Sequence, residues 1–210
     1  MSQDEFQVGD DMRDEARKQR KAQIEAAAYT LLAEKGFQNM SMLAVAKAAK
    51  ASNETLYRWY GDKTGLFQAL IESNADRVAD RLKEQLGGAT DPSDALTELG
   101  PLLLGMLLSD RAVALNQAAA SDATGALGKV LAEQGRGKVF PLIVSLFEHL
   151  RERRILAGDA GELASLYIDL LVGDLQIRRA TGALDALPED ALVDRAHKAK
   201  ARLIALTGVS

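Results

Sequence analysis

A chain of 210 residues can bury a core of its own, and its richness in Ala, Leu, Glu, Lys and Arg favours helices throughout. There is no cysteine, which excludes a disulfide framework, and the two histidines, His149 and His197, lie far apart, so we expect no metal and no cofactor. No signal-peptide pattern precedes the first helix, and no stretch approaches the ~18 consecutive apolar residues of a membrane span, so we expect a soluble, cytoplasmic protein.

The net charge of −4 is unevenly divided along the chain. Residues 1–12 contain four acidic residues and no Lys or Arg, residues 13–63 contain ten Lys/Arg against six Asp/Glu, and residues 64–210 contain sixteen against twenty. An acidic segment disfavours contact with nucleic acid, whereas a basic segment favours it. We therefore expect a disordered acidic tail at 1–12, a DNA-binding domain at 13–62 and a separate body at 63–210.

The first predicted helix runs from about Asp14 to Lys35, with Ile24, Ala28 and Leu31 on one apolar face. Gly36 provides the left-handed position that ends it. The helix starts with a basic run, made of Arg13, Arg17, Lys18, Arg20 and Lys21. Such a run forms either a solvated face or a set of phosphate contacts, and a neighbouring DNA-binding motif favours phosphate contact.

Residues 41–63, SMLAVAKAAKASNETLYRWYGDK, predict two short helices joined by a tight turn. Ser41 caps the second helix of the chain and Ser52 caps the third. This arrangement is typical of a helix-turn-helix whose second helix enters the DNA major groove. A long fourth helix follows and ends at Gly87-Gly88, where the segment GGATDPSD is the clearest boundary in the chain.

The remaining sequence predicts only helices, because it lacks strand alternation and internal repeats. Their approximate ranges are 92–108, 110–121, 124–134, 138–154, 160–180 and 188–207. Neither a Gly-x-Ser-x-Gly elbow nor a Walker motif occurs, so we do not expect an enzyme. The fold class is therefore predicted to be all-α.

Residues 13–75 resemble the DNA-binding head of the TetR (tetracycline-repressor) family of bacterial regulators. The resemblance rests on Gly36-Phe37, Ser41, AVAKAAKAS at 44–52, TLYRWY at 55–60, Asp62-Lys63 and Leu66-Phe67. TLYRWYGDKTGLF at 55–67 also resembles the subgroup with an AefR-like C-terminal domain. The resemblance implies nine or ten helices: a homeodomain-like three-helix head and a helical domain for ligand binding and dimerisation. It also implies a homodimer that represses transcription until a small molecule binds.

Two positions depart from the family pattern. The turn between the second and third helices usually carries Gly, whereas this chain has Lys50, at a cost of roughly 1 kcal/mol for a left-handed conformation. Leu43 stands where relatives often place a polar, base-reading side chain near the start of the second helix. Base reading by this helix is therefore in doubt.

The residues expected to contact DNA are Ser41, Met42, Lys50, Ser52, Asn53, Glu54, Thr55, Tyr57, Arg58, Trp59 and Lys63. Thr55, Tyr57 and Lys63 match family positions that bind phosphate, although Tyr57 could instead pack in the core and Lys63 could be solvated. Asn53 suits adenine and Glu54 suits a cytosine amino group, while Glu54 could equally pair with Arg58.

Trp59 has three readings. It could contact a base, pack between the third and first helices, or lie on the surface. We favour a position at the rim, with its indole N–H on sugar or phosphate of the DNA backbone.

In the body, polar residues interrupt apolar helices. Asn116, Gln117 and Tyr167 are candidates for an effector cavity. His149, Asp174, Gln176 and Arg178 are candidates for the dimer interface, and His149 could also interact with a helix C-terminus.

The expected partners are a near-palindromic DNA operator, an unidentified small-molecule effector and a second copy of the chain. The effector would act by tilting the fourth helix. The alternative is a DNA-binding scaffold or nucleoid-associated protein without an effector, which would tolerate a body free of internal voids.

Overall fold

The computed structural model describes residues 3–88 and 91–209, with side chains from residue 13 onward apart from those of residues 86 and 88. Its helices are α1 Gln3–Asn39, α2 Met42–Ala48, α3 Asn53–Tyr60, α4 Lys63–Gly88, α5 Pro92–Leu107, α6 Asp110–Ala120, α7 Ala126–Val130, a π-helical segment Leu131–Arg136, α8 Gly137–Glu152, α9 Ala160–Val172, α10 Leu175–Ala180 and α11 Glu189–Thr207. The all-α prediction is confirmed.

The chain divides into two compact units. The N-terminal unit is Met1–Leu70 and the C-terminal unit is Ile71–Ser210. Helix α4 begins in the first and continues in the second. Among the described residues no helix is both long and apolar enough to cross a bilayer.

Helix α1 includes the last ten residues of the tail that the sequence predicted to be disordered. The backbone is helical from Gln3, whereas the sequence predicted disorder over 1–12; residues 1 and 2 of that tail lie outside the described residues. Starting a helix is the costly step, so extending the formed helix backwards requires little additional free energy. Acidic residues near a helix N-terminus are also favoured by its dipole.

The N-terminal unit is built around a break in α1. Gly36 interrupts the helix with φ 70° and ψ 167°, as the sequence predicted, and one further turn follows. Phe37 then packs edge-on against Phe67, with ring centroids 5.4 Å apart. The core of this unit consists of Ile24, Ala28, Tyr29, Leu31, Leu32, Phe37, Met40, Met42, Val45, Ala46, Ala49, Leu56, Leu66, Phe67 and Leu70.

The C-terminal unit packs α5 along α11, and packs α9 against both α8 and α11. The helices approach closely at Gly100 of α5, where a Cβ atom would lie 2.6 Å from the Ala196 Cβ and 2.6 Å from the Tyr167 hydroxyl. Tyr167 is fully buried, with its ring centroid 5.8 Å from that of Phe147. Burial raises the pKa of the Tyr167 phenol well above its ordinary value.

Two predicted boundaries differ from the structure. The helix predicted over 160–180 is broken at Gly173, whose φ is 52°, and Arg195 of α11 donates from Nε to the Leu171 carbonyl at 2.8 Å. The break predicted at Gly135 and Gly137 is absent, because the π-helical segment continues the helical backbone from α7 into α8. Counted as one helix, this run brings the described residues to ten helices, within the predicted nine or ten.

Candidate DNA-binding surface and ligand cavity

The turn between α2 and α3 is closed by backbone hydrogen bonds around a left-handed lysine. Lys50 has φ 51°; its N–H donates to the Lys47 carbonyl at 3.2 Å and the Ala51 N–H donates to the Ala46 carbonyl at 2.9 Å. This pair of bonds is the Schellman motif, whose left-handed position is usually Gly. The prediction of a left-handed conformation at Lys50 is confirmed.

Helix α3 is capped and anchored so that its polar face is exposed. The Ser52 Oγ accepts from the Thr55 N–H at 3.1 Å and lies 2.8 Å from the Thr55 Oγ1. Leu56 is fully buried beneath the helix. Asn53, Glu54, Tyr57 and Arg58 are exposed, while Thr55 and Trp59 are half-buried. Because Leu56 holds the helix against the core, the side chains on the opposite side of α3 face solvent.

The turn from α3 into α4 is equally constrained. Gly61 has φ 74°, and the Asp62 Oδ1 accepts from the Gly65 N–H at 2.8 Å, which caps α4. A Cβ atom on Gly65 would lie 2.0 Å from the Tyr60 carbonyl oxygen, so only glycine fits there. The start of α4 is therefore held firmly against the end of α3.

Two residues predicted to contact DNA have other environments. Met42 is 5% exposed and belongs to the core of the N-terminal unit, so its side chain is withdrawn from any DNA surface and that prediction is corrected. Lys63 donates from Nζ to the carbonyls of Phe37 at 3.0 Å and Gln38 at 3.2 Å, and lies 4.5 Å from the Phe37 ring centroid. An ammonium has three N–H donors, and these two carbonyls accept from two of them. The third N–H can still donate to a phosphate, so phosphate contact by Lys63 stays a prediction.

Two arginines of the basic run on α1 contact the helix-turn-helix. Arg20 Nη1 donates to the carbonyls of Ala49 at 3.4 Å and Lys50 at 3.2 Å. The Arg17 guanidinium carbon lies 5.8 Å from the Trp59 ring centroid, within the range of a cation–π contact. Of the three readings of Trp59, packing toward α1 accounts for its buried part. The remaining exposed part leaves the predicted rim contact with DNA untested.

Beneath α3, Tyr60 turns its hydroxyl into the N-terminal unit. This oxygen is buried without a hydrogen-bond partner in the described part of the chain. Burial first, and the charge of Glu25 second, raise the pKa of Tyr60 to about 12. Tyr60 and Trp59 are thus both half-buried as residues, while the Tyr60 hydroxyl itself is enclosed.

The C-terminal unit contains an apolar cavity of approximately 340 Å³. Its walls include Ile71 and Ala75 of α4, Leu115 of α6 and Phe140 of α8. The π-helical segment contributes four residues, Leu131, Ala132, Gly135 and Arg136. Pockets of roughly 300–1,000 Å³ lined mainly by apolar side chains are typical of small-molecule sites.

Polar groups of this cavity are few. Asn116 Nδ2 donates to the Ala112 carbonyl at 2.8 Å, and Gln176 Nε2 donates to the Leu107 carbonyl at 3.2 Å. These contacts fix both amides while their side-chain oxygens keep accepting capacity. Arg136 and Phe140 both line the cavity, and the Arg136 guanidinium carbon lies 5.1 Å from the Phe140 ring centroid. Arg136 thus brings a positive charge to the lining.

Of the residues predicted to bind the effector, only Asn116 lines this cavity. Gln117 is exposed and donates from Nε2 to the Ala180 carbonyl at 2.7 Å, and Tyr167 is buried between helices, so both predictions are corrected. Gln176, predicted at the dimer interface, lines the cavity instead. His149, Asp174 and Arg178 are exposed, and their dimer role stays a prediction; His149 does lie in the last turn of α8.

Sequence reasoning missed Arg136 and the π-helical segment. Their only signal was the pair Gly135 and Gly137, which we interpreted as a helix break. It also missed the contacts of Arg17 and Arg20, because a basic run does not indicate which carbonyl or ring each guanidinium contacts.

The N-terminal unit has the architecture of a helix-turn-helix DNA-binding protein: a capped, solvent-facing helix follows a tight turn, on a basic segment. The family model described as "Bacterial regulatory proteins, tetR family" matches residues 24–70. Over residues 24–70 the chain is therefore similar to the TetR family of bacterial regulators.

Three known proteins are similar to this chain in sequence or in fold. The HTH-type transcriptional regulator HbdR of Aromatoleum sp. (strain CIB) is 30% identical over 78 residues, a match that covers 37% of this chain and only 34% of HbdR. The crystal structure of a TetR transcriptional regulator from Agrobacterium tumefaciens is 29% identical, with a TM-score of 0.72 over 91% of this chain and 95% of that one. The regulator FadR of Bacillus subtilis, solved in complex with stearoyl-CoA, shares the fold at 16% identity, with a TM-score of 0.68 over 88% of this chain and 97% of FadR. The AefR-like subgroup stays a prediction.

Proposed function

We propose that this protein is a sequence-specific DNA-binding transcriptional repressor, released from its operator by a small-molecule effector. The observation that carries the DNA half is the exposed polar face of α3 above the buried Leu56. Asn53 and Glu54 on its first turn are suited to base edges, while Ser41, Thr55, Tyr57 and Arg58 are suited to phosphate. As a homodimer the protein would bind a near-palindromic operator with half-sites roughly 34–36 Å apart.

The cavity of the C-terminal unit supports the effector half. Its volume of approximately 340 Å³ is more than twice the ~150 Å³ of an engineered cavity that binds benzene, so about a dozen non-hydrogen atoms would fit. We propose an effector with an apolar body and one polar or anionic head, which Arg136, Asn116 and Gln176 would orient. FadR, which shares the fold, was solved with stearoyl-CoA, whose acyl chain and charged head have the same two-part chemistry.

The DNA half is tested by selecting duplexes from a random pool with the purified protein and comparing their affinity with that of random duplexes. Selection of a two-fold symmetric sequence with a preference of at least about a thousandfold is expected of a specific regulator. Equal affinity for all duplexes would leave only a non-specific DNA binder and would favour the scaffold alternative.

The effector half is tested with matched apolar acids and alcohols of this size, decanoate and decanol among them. A ligand of the cavity should raise the melting temperature and weaken binding to the selected duplex. Ala112→Leu places a larger side chain in the cavity and should abolish both effects, whereas Ala120→Leu, on the exposed end of α6, should retain them. Thermal shifts that survive Ala112→Leu would place the ligand elsewhere.

The alternative, a DNA-binding scaffold without an effector, requires no internal void. The presence of an apolar cavity in the C-terminal unit therefore favours the ligand-responsive regulator.

A further inference from the structure

We propose that Arg17 and Arg20 are positioning residues for the recognition helix α3, and that neither binds phosphate. Both belong to the basic run at the start of α1, whose charge alone favours DNA contact. In the structure their guanidinium groups are directed to the two ends of α3: Arg20 to the turn that precedes the helix, and Arg17 to Trp59 in its last turn.

The spacing of these arginines suits a two-point support. Residues three apart lie on one face of a helix, so both side chains leave α1 on the same side. An eight-residue helix is about 12 Å long, a span that two diverging arginine side chains can cover from neighbouring positions. The two contacts would therefore fix both the height and the tilt of α3 relative to α1.

The contact of Arg20 falls on the most strained point of the motif. Lys50 occupies a left-handed conformation that is disfavoured for a residue with a Cβ atom. The carbonyls of Ala49 and Lys50 lie at the C-terminal end of α2, where a cation is favoured by the helix dipole and by unfilled hydrogen-bond acceptors. Arg20 thus stabilises the turn in the conformation that a lysine resists, and the turn sets the direction of α3.

Salt dependence separates positioning from phosphate contact. Each lost phosphate contact lowers the slope of log K against log[salt] by about 0.9, and weakens binding to specific and random duplexes alike. A small displacement of α3 costs mainly its base contacts, because a bidentate hydrogen bond to a base edge depends on position more strictly than the attraction between a charged side chain and phosphate. For Arg17→Ala and Arg20→Ala we expect a roughly tenfold loss on the selected duplex, comparable with one base contact. Little loss on random DNA and an unchanged salt slope should accompany it.

The exposed Lys18 provides a charge-matched control on the same helix. Lys18→Ala removes one positive charge and is expected to weaken binding to the selected duplex and to random DNA by the same factor. Trp59 is the only tryptophan, so its emission reports the Arg17 contact directly. Arg17→Ala should shift the emission of the free protein, and Lys18→Ala should not.

A double-mutant cycle with Lys50→Gly tests the role of the turn without relying on DNA charge. Glycine adopts the left-handed conformation without strain, so Arg20→Ala should cost less specificity in the Lys50→Gly background than alone. If Arg20→Ala lowers stability, the free energy of unfolding in urea is measured for the same four proteins. It should show the same smaller loss in the Lys50→Gly background. Additive losses throughout the cycle, or a lowered salt slope for Arg20→Ala, would overturn the proposal.

Discussion

Single residues of α3 divide into those that hold the helix and those that face outward. Tyr57 is 50% exposed on the outward side of α3. Its phenol can donate a hydrogen bond to a phosphate oxygen, a contact that carries no sequence information.

We expect Tyr57→Phe to weaken binding to selected and random duplexes by a similar factor, roughly tenfold, because a hydrogen bond to a charged acceptor is lost. Fluorescence anisotropy on both duplexes measures this. Tyr29→Phe is the matched control, since the Tyr29 hydroxyl donates to the Leu70 carbonyl at 3.1 Å inside the N-terminal unit. It should lower the free energy of unfolding by about 1 kcal/mol and leave DNA affinity unchanged.

Gly100 marks a close helix contact in the C-terminal unit. Gly100→Ala would place a methyl group 2.6 Å from both the Ala196 Cβ and the Tyr167 hydroxyl, so helices α5 and α11 would have to separate. We expect a loss of about 1–3 kcal/mol in urea unfolding. Gly87→Ala, in α4 with no atom within 4 Å of the added Cβ, should instead stabilise by about 0.4–1 kcal/mol. Equal effects would contradict the close contact.

At the scale of the element, the cap of α3 serves two functions that one substitution can separate. Ser52→Ala removes the bond to the Thr55 N–H and should lower stability by about 1 kcal/mol. Ser52→Asp keeps a capping oxygen and should retain stability, yet its negative charge would face phosphate and weaken DNA binding. Circular dichroism melting and anisotropy measure the two effects. A protein with Ser52→Asp that binds DNA normally would show that residue 52 lies away from the duplex.

Much of the secondary structure was predictable because caps and glycines are local signals. Ser41, Ser52 and Gly36 each determine a boundary through their own backbone or side chain, and each boundary was found. The break at Gly173 was missed because Arg195, distant in sequence, donates a hydrogen bond to the Leu171 carbonyl at the end of α9. Local pattern carries no information about such partners.

The site was predictable only as far as it depends on helix periodicity. Periodicity shows that Leu56 faces inward and Asn53 outward. It also indicates that Met42 faces inward, against the expectation that Met42 contacts DNA. It does not show which carbonyl Arg20 reaches, nor that Tyr167 packs against Gly100 and lies outside the cavity. Tertiary contacts decide these positions.

At the scale of the whole molecule, the proposed function requires that effector and operator act on one equilibrium. If the effector weakens operator binding by some factor, operator must weaken effector binding by the same factor. We expect calorimetric titration of the effector, with and without the selected duplex, to give that equality. A ligand whose affinity is indifferent to the duplex would bind without regulating.

The π-helical segment Leu131–Arg136 also has a consequence for how the chain tolerates changes in length. A π turn holds one residue more than the α turn it replaces, so deleting Gly135 could convert the segment to ordinary α-helix without disturbing α7 or α8 on either side. We expect this deletion to leave a folded, DNA-binding protein whose cavity has lost its ligand, measured by thermal shift. Elsewhere in a helix the same deletion would rotate every following side chain by about 100°. A relative that is one residue shorter at this point would thus keep the fold and bind a different effector.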